Sequence, residues 1–162
     1  YNFIDYEEGN GLTIADWVVK LQQKGYVYGP DWLPHDGVDA MLHHRLTGDK
    51  TRSVEQLMRE AGRNVRVAAK MAVHDRLNAA RTIFSQCRFD ADKCSKGLHA
   101  LRQYQWGEPA ASGVEKRKPL HDFASHAASA FQTLAMRLKH PEMEEAAQET
   151  PRQPAGLYDF MA

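Results

Sequence analysis

Cysteine is scarce in this chain: Cys87 and Cys94 are the only two among 162 residues. They are too few and too widely spaced for a zinc site, even with His99 nearby, and read as reduced packing residues of a cytosolic protein. No apolar run reaches membrane-spanning length and no signal-peptide pattern is present, so a membrane role is not expected. Neither charge sign dominates, with 21 Lys and Arg against 21 Asp and Glu, and no global charge drives the chain onto nucleic acid. There is no internal repeat. The length suits one domain, or most of one, with enough chain for a core. Because the first residue is Tyr rather than Met, the sequence is expected to be a piece of a longer chain.

What is present alternates between short β-prone runs and amphipathic runs. Residues 2–8 read as a strand, closed by the turn Gly9-Asn10-Gly11. Residues 13–24 read as a helix with Ile14, Trp17, Val18 and Leu21 on one face and Gly25 as its stop. Tyr26-Val27-Tyr28 reads as a strand. Ser53-Val54-Glu55-Gln56 has the form of a capping box, opening a helix that stops at Gly62. A strand over 64–69, a helix over 73–84, a brief strand at 87–89 and a helix over 91–104 follow. Residues 105–118, with Gly107, Pro109 and Gly113, read as a protruding hairpin or loop. A last long helix begins near Asp122 and carries Ala124, Ala127, Phe131, Leu134 and Leu138 on its apolar stripe. From His140 onward the composition predicts a poorly ordered tail, so the expected division is a domain over 1–138 and a tail over 139–162. Strands interleaved with helices give the α/β class.

Two acids stand in chemically suggestive settings. In Pro119-Leu120-His121-Asp122-Phe123-Ala124-Ser125-His126-Ala127-Ala128-Ser129, the residues Asp122, His126 and Ser129 fall at i, i+4 and i+7, which puts an acid, an imidazole and a hydroxyl on one helical stripe. On this segment alone Asp122 also reads as a simple N-cap. In Tyr28-Gly29-Pro30-Asp31-Trp32-Leu33-Pro34-His35-Asp36-Gly37, Asp36 follows a strand and has a histidine beside it. A carboxylate there is held rigidly while the loop admits substrate, which suits a metal site or general-acid chemistry. The plain alternative is a solvated Asp-Gly turn.

Taken together, these two His-Asp segments and the elements around them resemble the C-terminal nuclease domain of tailed-phage terminase large subunits, most closely the headful-packaging group. The likeness runs from about Tyr1 to Leu138 and includes Tyr6-Glu7-Glu8, Ala79-Ala80-Arg81-Thr82 and the series Leu98, Leu101 and Tyr104. The resemblance implies a ribonuclease-H-like fold, a mixed sheet flanked by helices and here lacking its first strand. It implies an endonuclease that cuts concatemeric double-stranded DNA during genome packaging. Three acids of that family hold two divalent ions, Mg²⁺ or Mn²⁺, which sit about 4 Å apart, activate a water and steady the leaving oxygen. The second acid maps onto Asp36 and the third onto Asp122, while the first has no counterpart, so this piece is expected to be a weak nuclease by itself. His126, Ser129, His35 and His121 take supporting places around the acids. Ser129 stands where relatives commonly carry another Asp.

DNA contact needs basic side chains near those acids. Lys116, Arg117 and Lys118 lie just before Asp122, and Arg45, Lys50 and Arg52 follow Asp36 as a second lip. A short basic run is also an ordinary solvated surface. By the resemblance, the partners are double-stranded DNA, the terminase ATPase domain, the small terminase subunit and the portal protein, in the bacterial host cytoplasm. The alternative is a catalytically silent module, either a DNA- and portal-docking domain or a prophage remnant.

Overall fold

Thr13 and Ser53 open their helices as reciprocal caps. Thr13 Oγ1 accepts the amide of Asp16 while Asp16 accepts that of Thr13, and Ser53 and Gln56 do the same. The computed structural model describes residues 1–39, 51–107 and 118–140. In chain order they form β1 (Asn2–Phe3), α1 (Ile14–Gln23), β2 (Asp31–Leu33), a 3₁₀ turn (His35–Val38), α2 (Val54–Glu60), β3 (Val65–Val67), α3 (Val73–Phe84), β4 (Arg88–Phe89), α4 (Ser95–Gln103) and α5 (Phe123–Lys139). The class is mixed α/β, as expected.

The described strands pair as two separate two-stranded parallel sheets, β1 with β4 and β2 with β3. The long helix α5 is the spine against which the rest is assembled. Its Phe131, Ala135 and Met136 pack with Ala79, Ala80 and Ile83 of α3, and Phe3 and Phe89 cover this cluster from the first sheet. Its first turns bring Ala124 and Ala127 against Ala100 of α4, with Tyr6 and Tyr104 alongside. Alanine at these positions lets the two helix backbones approach closely. A third cluster joins Ile14 and Val18 of α1 to Val54 of α2 beneath Leu33, Leu57 and Met58.

Three expectations need correction. The strand expected at Tyr26–Tyr28 lies instead at Asp31–Leu33, between the two prolines. Asp31 donates its amide to Asn64 O at 2.7 Å and takes a bidentate clamp from Arg63, which fixes this register on β3. The tyrosines serve as latches: Tyr28 donates to Leu21 O, Tyr26 donates to Asp5, and Val27 between them is fully exposed. The first strand stops at Phe3 rather than reaching Glu8, because Tyr6 N turns to the Asp5 carboxylate. The helix expected from 91 begins at Ser95, since Asp90 Oδ1 accepts the amides of Asp92 and Lys93 and holds residues 91–94 in a turn.

The stem of the expected hairpin over 105–118 is present: Gly107 N donates to Lys118 O, Leu120 N donates to Gln105 O, and Trp106 bridges Pro119 antiparallel. Its tip and the expected tail beyond residue 140 lie outside the described residues. Cys87 and Cys94 are free thiols, both with pKa values raised by burial. Among the described residues no helix is long and apolar enough to cross a membrane.

Candidate functional site

Asp36 sits in the 3₁₀ turn that follows β2 after the extended residue Pro34. Gly37 N reaches back to Pro34 O and Asp39 N to Asp36 O, each at 2.9 Å. Gly37 is buried so closely on Leu33 that an added Cβ would stand 3.1 Å from the leucine Cβ. This tight return half-buries Asp36 and His35 at the carboxyl end of a parallel strand. Loops at that end of parallel strands are where α/β proteins gather ligands.

Asp122 is the N-cap of α5. Its backbone is extended, with φ −130° and ψ −165°, and Oδ1 accepts the amide of Ala124 at 2.9 Å. The capping alternative raised by the sequence is therefore realised. Around it, Ser125 Oγ donates to Asp122 O at 2.7 Å and lies 3.2 Å from His121 Nδ1. The His121 and His126 rings meet edge to face at 5.7 Å. His126 and Ser129 are exposed farther along the same stripe, and among the described residues no hydrogen bond joins their side chains to the Asp122 carboxylate. Phe123 is exposed and stacked on His99.

The elements that carry the two acids pack on different clusters. The turn that carries Asp36 follows Leu33, which packs on the α1–α2 cluster, whereas Asp122 starts the segment packed on α4. Where α5 meets β2, the Arg137 guanidinium lies 5.3 Å over the Trp32 ring. Among the described residues no three His, Cys, Asp or Glu side chains converge on a point able to hold a metal ion. A two-ion centre needs several carboxylates to offset its charge. The described residues alone do not fit one.

Of the expected basic residues, Lys118 is exposed at the hairpin stem, and its carbonyl accepts from Gly107. Arg52 is exposed and pairs with Glu60 at 3.0 Å. Lys116, Arg117, Arg45 and Lys50 lie outside the described residues.

The sequence did not bring out a charge network that ties β1 to α1. Lys24 Nζ bridges Asp5 at 2.5 Å and Glu7 at 2.9 Å, and Lys20 adds a second contact to Glu7. The Lys24 ammonium holds the Asp5 carboxyl below the usual carboxylate range, and Lys20 with Lys24 does the same for Glu7. Burial and the neighbouring Glu8 push the Tyr6 phenol up to about 12. The sequence signal was Lys20 and Lys24 one turn apart on a helix that follows an acidic segment. Every charge in this network has a partner of opposite sign, so it reads as a structural strap. No family model, no curated protein and no solved structure matches the chain.

Proposed function

We propose that this chain is part of the metal-dependent endonuclease domain of a viral DNA-packaging terminase, with a ribonuclease-H-like core, acting on concatemeric double-stranded DNA. The observation that carries this reading is the position of Asp36, half-buried in a tight turn at the carboxyl end of a parallel strand with His35 beside it. Asp36 is the acid that would take Mg²⁺ or Mn²⁺, and Asp122 the secondary candidate. The remaining ligands have to come from outside the described residues. The ATPase domain, the small terminase subunit and the portal enter as partners through the family resemblance alone. In the intact protein with Mn²⁺ and a supercoiled plasmid, Asp36→Asn is expected to lower cleavage at least about a hundredfold, the scale of losing one preorganised charge-stabilising group. Unchanged cleavage in that variant refutes the role of Asp36.

A second reading, a silent module that docks DNA and the portal, has its own support. One Asp122 oxygen is engaged as a helix cap, Ser129 offers a hydroxyl, and no three potential ligands converge among the described residues. The same assay separates the two. A wild-type intact protein that retards DNA on a gel yet never nicks the plasmid favours the silent module.

A further inference from the structure

Helices α3 and α4 both pack on α5 but leave a groove of about 830 Å³ between them. Three of its lining residues share one property. Gln132 lies on its α5 side, is only 3% exposed, and among the described residues makes no hydrogen bond. Its amide atoms are not sealed from solvent, so water or a ligand in the groove can reach them. Arg81 of α3 and Arg102 of α4 line the same groove, and among the described residues neither forms an ion pair. No Asp or Glu lines it. Phe84, also in the wall, is 47% exposed. The volume is that of a small-molecule site rather than of a packing defect.

We propose that this groove binds a nucleoside phosphate. The guanidiniums of Arg81 and Arg102 match phosphate oxygens. The Gln132 amide offers an acceptor and a donor together, the pattern that reads the edge of a base. The Phe84 ring and the apolar walls from Leu77, Leu98 and Leu101 receive the flat base between those two ends. The nucleotide is either free or an unpaired unit of a DNA strand, and the groove chemistry is the same for both. The groove is separate from Asp36 and Asp122 and holds whether or not the chain cuts DNA.

Calorimetric titration of the intact protein with the four deoxynucleoside 5′-monophosphates, inorganic phosphate and a short single-stranded oligodeoxynucleotide tests this. At least one nucleotide or the oligonucleotide is expected to bind about tenfold tighter than inorganic phosphate. Arg81→Ala with Arg102→Ala is expected to weaken that binding at least about tenfold, since both guanidiniums are lost. Gln132→Leu keeps the volume, suits its apolar surroundings and should flatten the preference among bases. Tighter binding of the oligonucleotide than of any monophosphate identifies a strand as the source, and the reverse identifies a free nucleotide. Asp36→Asn should bind like wild type, which keeps this result apart from the cleavage result. Binding no tighter than inorganic phosphate, or variants indistinguishable from wild type, overturns the proposal.

Discussion

At the residue level, Asp122 shows how one carboxylate serves two readings that differ in their sensitivity to substitution. As a cap it needs only an oxygen that accepts the Ala124 amide, and Asn supplies one as well as Asp does. As a metal ligand it needs the charge. Asp122→Asn should therefore leave thermal stability within a few tenths of a kcal/mol, while Asp122→Ala should lose about 1 kcal/mol. Calorimetric unfolding measures both. A stable Asn variant that still cuts plasmid DNA would reduce Asp122 to a cap, and a stable Asn variant that does not cut would mark it as a ligand as well.

At the level of elements, what the sequence revealed and what it hid divide along a physical line. Helices announced by local chemistry appear where expected: the Thr13 and Ser53 boxes, the Gly25 and Gly62 stops with φ of 68° and 78°, and the amphipathic run from Val73. The strands expected over 64–69 and 87–89 appear as β3 and β4, whereas those over 2–8 and 26–28 are cut short or displaced, because pairing is decided by partners distant in the chain. Tyr26 and Tyr28 have the better β-propensity, yet the Arg63 fork on Asp31 carries the strand beyond Pro30. Arg63→Lys should therefore loosen β2 on β3 by about 1–2 kcal/mol, since an ammonium cannot reproduce the bidentate bond. Faster amide exchange at Asp31 and Leu33, ahead of global unfolding, is the expected reading.

The contact between α4 and the residues after β1 is equally specific. A Cβ placed on Gly97 would stand 2.8 Å from the Tyr6 ring, which is itself held by the hydroxyl bond from Tyr6 to Glu8. Gly97→Ala gains helix propensity but must displace that ring. A net loss of about 1–3 kcal/mol in chemical denaturation is expected from overpacking. A stabilised variant would show that Tyr6 moves freely.

For the molecule as a whole, the candidate acids were visible in the sequence, but the clusters on which their elements pack were not, because spacing along a chain says nothing about which core an element joins. The same limit hid the strap between the segment after β1 and α1, whose acids and lysines sit far apart in sequence. Its electrostatics add a pH-dependent contribution to stability. Asp5 and Glu7 have folded pKa values below their ordinary 3.8 and 4.5, so their ionised forms favour the folded state. That contribution is complete above the ordinary values and is lost as pH falls through the lower, folded ones. Lys24, raised above its ordinary 10.5, adds a contribution that persists until the pH passes its higher folded value, so the strap is at full strength across the neutral range. Lys24→Met should then cost about 1 kcal/mol near pH 7, as expected for a partly exposed ion-pair network. The gap between variant and wild type should close as the pH drops below both carboxylate values, where the wild-type acids are protonated too. Urea midpoints measured across the acid range give the answer directly. A gap that stays constant down to the lowest pH would assign the Lys24 contribution to its aliphatic stem rather than to its charge.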